Sequence, residues 1–147
     1  MNRYLKQTLS THAGWDPLIL RLVGGVVFAA HGAQKLFGWF GGYGLQATAG
    51  WMDSIGLAPG IVMASLAGSV ELFGGLLLIA GLAVRPVAVL LALTMLVAIT
   101  VVHLVNGLFM ANNGYEFGLA LLAMSVALAV RGAGSLSFDQ LVLAGRY

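Results

Sequence analysis

Five ionisable side chains interrupt apolar stretches of the sequence in which charged groups are otherwise rare. They comprise two histidines, one lysine and two glutamates, namely His31, Lys35, Glu71, His103 and Glu116. Ionisable groups are unfavourable in a lipid interior, so they usually face the inside of a helix bundle and mark a functional site. Histidine exchanges protons near neutral pH, and lysine and carboxyl groups donate or accept hydrogen bonds. The available chemistry is therefore proton exchange and hydrogen bonding to a ligand oxygen, and all five residues are candidates for ligand binding.

Glu71 and His31 are the two candidates for a catalytic role. A carboxyl group in an apolar stretch must be neutral or paired, and Lys35 or His31 could pair with Glu71. A quinone would need hydrogen-bond donors at its two carbonyl oxygens and an apolar pocket open to lipid. His31, Lys35 and Glu71 could supply the polar groups, with Phe28 and Phe73 close to them in sequence. The pattern favours a quinone as the cofactor, although it establishes none.

Each of these residues also has an ordinary structural interpretation. Lys35 could extend its ammonium group to the membrane surface, and Glu116 could be a favourable charge at a helix N-terminus. His103 could form a hydrogen bond between helices, and Glu71 could form a structural ion pair with Lys35 or a histidine. The two histidines and a carboxylate do not have the spacing of a metal site, so we predict no metal centre.

The composition predicts that the chain is surrounded largely by membrane lipid. Of 147 residues, 60% are hydrophobic and 8% are charged, whereas soluble domains carry about a quarter charged residues. Twelve charges are too few to cover a soluble domain, which excludes the disordered, nucleic-acid-binding and ordinary cytosolic classes. The sequence has no cysteine, so a redox role would require a bound organic cofactor or a soluble redox partner protein.

Four apolar segments predict an all-α membrane protein. A spanning helix needs about 20 apolar residues, and the chain is long enough for one transmembrane domain over residues 1–147. No β-strand alternation is present, and short connections favour an up-down-up-down four-helix bundle. A short amphipathic helix over 46–55 could lie at the membrane surface. The predicted spans are 17–37, 59–82, 86–106 and 115–131, followed by a tail over 132–147.

Basic residues predict the orientation of the spans. An even number of spans places both termini and the loop between the second and third spans on one side. Lys35 is the single basic residue predicted on the opposite side, and six are predicted on the side of the termini: Arg3, Lys6, Arg21, Arg85, Arg131 and Arg146. Because cytoplasmic segments are enriched in Lys and Arg, we expect both termini in the cytoplasm and the chain in the bacterial inner membrane.

This orientation places the five ionisable residues in the outer half of the membrane. At about 1.5 Å per residue, Lys35 lies ~3 Å and His31 ~9 Å below the outer end of the first span. By the same rise, His103 lies ~4.5 Å below the outer end of the third span and Glu71 lies ~18 Å deep in the second. Glu116 lies at the outer mouth of the fourth span. We therefore expect one polar chamber in the outer half of the bundle.

Four sequence blocks occur in order along residues 18–142. The first is HG followed by KLFG at 31–38, and the second is ELFGG at 71–75 followed by Gly81 and Arg85-Pro86. The third is NGLF at 106–109, followed by Asn112 and by GYE at 114–116. The fourth is GAGSLSFD at 132–139. Together the blocks resemble the signature of the DoxX family of membrane proteins.

The resemblance implies a four-helix inner-membrane protein. The family is similar to the small subunit of thiosulfate:quinone oxidoreductases, and its members are linked to redox or oxidative-stress roles. The resemblance therefore implies a quinone-linked membrane subunit, with or without catalytic activity of its own. The motif positions carried by this chain are His31, Lys35, Glu71 and Glu116, four of the five residues singled out above.

Two other functions fit the same residues. A small-solute or proton pathway would use ionisable groups at graded depths, although four short helices offer little room for alternating access. A non-catalytic accessory subunit would dock a soluble enzyme through the loop at 39–58 and the tail. The partners expected in all cases include the lipid bilayer but no nucleic acid, and glycine-rich helix faces favour a homo-oligomer.

Overall fold

Helices and short turns account for the part of the chain that the structure describes, which is Gln7 and residues 14–144 of a computed structural model. No strand occurs within it, so the predicted all-α class is confirmed. Arg3, Lys6 and Arg146, used above to predict orientation, lie outside the described residues. The helices are α1 (Asp16–Phe37), α2 (Gly44–Ser54), α3 (Gly60–Ala80), α4 (Val84–Val97), α5 (Glu116–Arg131) and α6 (Phe138–Ala144).

Three helical segments in the described part of the chain are long and apolar enough to cross a membrane. They are α1 with 22 residues, α3 with 21 residues, and a 23-residue segment over Val84–Asn106. This last segment is α4 extended by a π-helix and a 3-10 turn, and its mean hydropathy of 2.6 exceeds those of α1 (1.3) and α3 (1.9). Because these helices expose large apolar side chains, they contact the lipid bilayer. The fourth predicted span is represented by α5, whose 16 residues extend about 24 Å.

Glycines set the register between α1 and α3. A Cβ atom on Gly32 would collide with the backbone of Leu72, and one on Gly75 would collide with the backbone of Ala29. Small residues of this kind allow helix backbones to approach closely in lipid, where the gain comes from van der Waals packing. The close contact of α1 with α3 determines which of their polar side chains meet.

The core joins four helices. Phe28 of α1, Leu78 of α3, Leu91 of α4 and Leu128 of α5 are buried in one cluster. α4 packs most extensively on α5 and less extensively on α3. The helices therefore pair as α1 with α3 and α4 with α5, and α3 contacts α4 less extensively.

Asp139 joins the C-terminal segment to the start of α4. Its carboxylate accepts hydrogen bonds from the backbone N–H groups of Ala83 (2.7 Å) and Val84 (3.0 Å). The free N–H groups at a helix start favour a negative charge. This contact explains why α4 begins at Val84, two residues before the predicted span. α3 ends earlier than predicted, at Ala80, because Gly81 adopts a left-handed conformation (φ 71°).

Arg21 is fully buried at the same end of the helices. Its Nη2 donates hydrogen bonds to the carbonyl oxygens of Ser135 and Leu136, both at 3.1 Å. The backbone of Ser135 also donates to the carbonyl oxygen of Gly14 (2.9 Å). The C-terminal segment, residues 132–144, thus closes this end of the molecule. Arg21, counted above with the basic residues that set orientation, has the additional role of binding this segment.

Candidate functional site

An ion pair between α1 and α3 forms the centre of the site. Lys35 Nζ donates to Glu71 Oε2 at 2.6 Å. The Glu71 side chain is 4% exposed and that of Lys35 is 26% exposed, so the carboxylate is buried and the lysine is partly exposed. An ammonium group has three donors, which leaves Lys35 with capacity for a ligand oxygen. The glycine contacts between α1 and α3 create this pairing because they fix the register of the two helices.

A cavity of about 720 Å³ lies against this ion pair. Its walls come from α1 to α5 and are mostly apolar, including Met52, Leu66, Val70, Met95, Val102 and Phe117. Four ionisable side chains also line it: His31, Lys35, Glu71 and His103. Small-molecule sites are typically clefts of roughly 300–1,000 Å³ with apolar walls and a few polar groups. This cavity has both properties and suits an aromatic ring that carries polar substituents.

His31 lies one helical turn before Lys35 on the wall of the cavity. Its ring is 5.9 Å from that of Phe117, measured between centroids, with the planes tilted by 45°. Residues four apart on a helix lie on one face, so His31 and Lys35 present a donor and a proton-exchanging group side by side. Phe28, one turn further back, is also on the wall.

His103 approaches the cavity from the end of α4. It is the last residue of a π-helix over Ala98–His103. Its Nδ1 lies 2.9 Å from the carbonyl oxygen of Asn113, to which Asn106 Nδ2 also donates at 3.2 Å. His103 is therefore held against the turn at 107–114.

Glu116 lies apart from the other four candidates. It is in the first turn of α5, and its Oε1 accepts a hydrogen bond from the backbone N–H of Met110 at 2.6 Å. It is not among the residues that line the cavity. Glu116 holds the turn whose residues Met110, Asn113 and Gly114 form one wall of the cavity. The structure thus brings four of the five predicted site residues together and places Glu116 behind that wall.

Residues 17–104 match the sequence profile of the DoxX family. The chain belongs to the DoxX family. It is also 39% identical, over 129 residues, to a protein of Bacillus subtilis (strain 168) named "Putative oxidoreductase CatD", with 88% of each chain covered. No solved structure matches the chain. The resemblance inferred from the four sequence blocks is confirmed.

The matched stretch of this DoxX protein includes all four ionisable residues of the cavity. His31, Lys35, Glu71 and His103 lie within residues 17–104, whereas Glu116 lies beyond them. No group of three or more histidine, aspartate and glutamate side chains that could hold a metal ion occurs in the described residues. The cavity of this DoxX protein is lined by one ion pair and two histidines.

Sequence reasoning missed the contribution of α2 to the cavity. The short helix predicted over 46–55 is present as α2. Its Thr48, Ala49 and Met52 are buried, and the last two pack in one cluster with Ala64 of α3. Asp53 Oδ1 accepts from the N–H of Gly60 at 2.6 Å and caps α3. The signal was present as a spacing of three and four residues between the buried positions. The carbonyl oxygen of Asn113 was also missed, because a backbone group gives no signal in side-chain chemistry.

Proposed function

We propose that this DoxX protein is a quinone-linked membrane subunit that binds a quinone headgroup in the cavity. One observation carries the proposal: the Lys35–Glu71 ion pair, His31 and His103 line a single, mostly apolar cavity of about 720 Å³. A quinone ring needs apolar walls and donors at its carbonyl oxygens. Lys35 supplies a donor fixed by Glu71, and the histidines supply groups that exchange protons.

Quinone chemistry requires electrons as well as protons. Reduction of a quinone takes up two electrons and two protons and gives a quinol. The sequence has no cysteine, so thiol or iron–sulfur electron transfer within this chain is excluded. We assign electron transfer to a soluble redox partner, and ligand binding and proton exchange to this chain. The name of the Bacillus subtilis relative, which includes the word oxidoreductase, supports a redox setting.

The proposal includes a topology of four spans with both termini in the cytoplasm of a bacterial inner-membrane protein. Arg21, Arg85 and Arg131 belong to the closed end of the helices, in accordance with the enrichment of cytoplasmic segments in basic residues. The absence of natural cysteines makes single-cysteine labelling a direct test. A cysteine at Asn112 should react with an impermeant maleimide from outside intact cells, and one at Val142 should react only after lysis. The reverse pattern would contradict the proposed orientation.

A pathway across the membrane is less well supported than a binding site. A solute or proton route would have to cross the closed end, where Arg21 is fully buried and hydrogen-bonded to residues 135 and 136. On α3 the lining of the cavity extends no further than Glu71, about halfway along the helix. This arrangement favours a site that a ligand enters and leaves from one side.

Equilibrium binding tests the proposed function. Purified protein in detergent micelles is titrated with decylubiquinone, and the same titration is made with Glu71→Gln. The wild type should bind, and the variant should bind at least about tenfold more weakly, a change of about 1.4 kcal/mol. The matched control is Asp16→Asn, which removes the carboxylate of the exposed ion pair with Arg131 and should leave binding unchanged. Failure of the folded wild type to bind this quinone or menadione would refute the proposal.

A further inference from the structure

The end of α4 departs from regular helix geometry at the residues that face the cavity. The chain forms a π-helix over Ala98–His103 and a 3-10 turn over Leu104–Asn106. Segments of π-helix inside helices are rare and frequently occur at functional sites. Here the segment determines the direction in which His103 leaves the helix. It places the ring between the cavity and the turn at 107–114.

The hydrogen bond to Asn113 fixes the tautomer of His103. A carbonyl oxygen can only accept, so Nδ1 must carry the proton in this bond. In the neutral ring, Nε2 then has a free lone pair and can only accept. His103 makes no second hydrogen bond within the described part of the chain. Nε2 is therefore a hydrogen-bond acceptor available to an occupant of the cavity.

The acceptor carbonyl is itself held in place. Asn113 adopts a left-handed backbone conformation (φ 58°), and Asn106 Nδ2 donates to the same oxygen. Asparagine tolerates this conformation better than most residues. His103 thus has a fixed orientation before any ligand arrives, which is the condition for a specific hydrogen bond.

The cavity therefore offers two kinds of polar contact. Lys35 Nζ is a donor paired with Glu71, and His103 Nε2 is an acceptor. A quinone has only acceptor oxygens, so its carbonyl oxygen could not form a hydrogen bond with the lone pair of His103 Nε2. A quinol or another phenolic ring has hydroxyl groups that can donate to His103 and accept from Lys35.

We infer that His103 is a specificity residue that accepts a hydrogen bond from a hydroxyl group of the ligand, so that the cavity prefers the quinol over the quinone. The inference rests on the proposed function and deepens it, because it names which form of the ligand the site favours. His103 is half-buried, and a quinone bound against its ring would cover Nε2 without giving it a donor, which is unfavourable. The preference should therefore be about tenfold or more in dissociation constant.

Three probes that carry the same decyl chain and differ in the ring substituents test the inference. Calorimetric titrations in detergent micelles compare decylhydroquinone, kept reduced without oxygen, with its dimethyl ether and with decylbenzoquinone. The wild type should bind the hydroquinone about tenfold or more tightly than either of the other probes. His103→Asn places an amide near the position of Nδ1 and should abolish the preference. His103→Gln places an amide oxygen near the position of Nε2 and should retain part of it.

The outcomes separate this inference from the proposed function. Asn112→Ala, in the same turn but outside the cavity wall, should behave as the wild type. Thermal unfolding of each variant checks its fold, and if His103→Asn does not fold, the wild type and His103→Gln decide. Binding of the benzoquinone as tight as that of the hydroquinone, or an undiminished preference in a folded His103→Asn protein, would overturn the inference and leave the proposed function supported. Failure of all three probes to bind would overturn both.

Discussion

A buried charge lies near each end of α1: Arg21 of α1 itself near the start, and Glu71 of α3 near the end. Near its start, Arg21 is fully buried under residues 135 and 136, and Asp139 nearby is 1% exposed. Near its end, Lys35 pairs with Glu71, which is 3% exposed. The two positions on α1 are about 21 Å apart. At the start of α1, Nη2 of Arg21 donates to backbone carbonyl groups, while its Nε and Nη1 have no hydrogen-bond partner among the described residues. At the other end, the Glu71 carboxylate pairs with the Lys35 side chain on the wall of the cavity.

If the cavity binds a ligand as proposed, one end of α1 stabilises the fold and the other end binds the ligand. At the closed end, the backbone of the C-terminal segment fills the space around Arg21, and Asp139 caps α4. A buried charge that is held by backbone groups on several elements fixes those elements together. Near the end of α1, Lys35 lines the cavity, and its ammonium group has two donors beyond the one bonded to Glu71. Under the proposed function, the Lys35–Glu71 pair on the cavity wall contacts the ligand, so we predict that the two ends respond differently to substitution.

The largest expected effect is at the closed end. Asp139→Ala removes both hydrogen bonds to the start of α4 and leaves Arg21 without a nearby carboxylate. Removal of one partner from a buried charged arrangement lowers the free energy of unfolding by about 3–5 kcal/mol. Unfolding in detergent micelles with increasing dodecyl sulfate measures this change. The folded fraction should bind quinone as the wild type does. If the variant kept its stability but lost quinone binding, the assignment of this end to stability would be wrong.

Glu71→Gln should weaken quinone binding strongly and change the free energy of unfolding little, the opposite of Asp139→Ala. The amide fills the same volume but cannot fix Lys35 with an ionic hydrogen bond, so quinone binding should weaken at least about tenfold. Its free energy of unfolding should fall by no more than about 1 kcal/mol, because the partly exposed Lys35 can extend to solvent. The same dodecyl sulfate titration measures this second quantity. A loss of stability equal to that of Asp139→Ala would show that the ion pair is a structural contact.

Ala67→Leu tests the volume of the cavity. Ala67 lies on the cavity wall, and a leucine there would occupy part of the space without removing a polar group. Quinone affinity should fall about fivefold, equivalent to about 1 kcal/mol, while stability is unchanged or slightly raised. Dissociation constants for short-chain and long-chain quinones measure the effect, which should be similar for both if the headgroup occupies the cavity. An unchanged affinity would place the headgroup elsewhere.

The smallest effect is expected for the exposed ion pair between Asp16 and Arg131. Its atoms are 2.9 Å apart, but the side chains are 57% and 51% exposed. Exposed pairs contribute about 0–1 kcal/mol. Asp16→Asn should therefore change neither quinone binding nor the unfolding midpoint beyond that range. A change as large as that of Asp139→Ala would mean that the closed end depends on surface charge instead of buried contacts.

The sequence was informative where local rules decide the structure. Apolar length and the prolines at positions 17, 59 and 86 predicted helices close to those observed, and the cost of charge in lipid selected four residues that line the cavity. The sequence left either Lys35 or His31 as the partner of Glu71, because periodicity gives the face of each helix but not the register between helices. That register depends on close contacts such as that of Gly32 with Leu72.

Long-range contacts were beyond the reach of the sequence pattern. Asp139 lies 55 and 56 residues from the N–H groups it caps, and Arg21 lies 114 and 115 residues from its carbonyl acceptors. Neither spacing follows from helical periodicity. The π-helix that ends at His103 also has no compositional signature, so the contact with Asn113 appeared only in the structure.

Photoaffinity mapping tests the central claim most directly. An azidoquinone with a decyl tail is photolysed with the purified protein, and the labelled peptides are identified by mass spectrometry with and without excess decylubiquinone. The account predicts competable labels on peptides that line the cavity, around Glu71 and around His103. Labels that decylubiquinone does not displace, or labels confined to lipid-facing positions such as Ile19 and Val130, would contradict it.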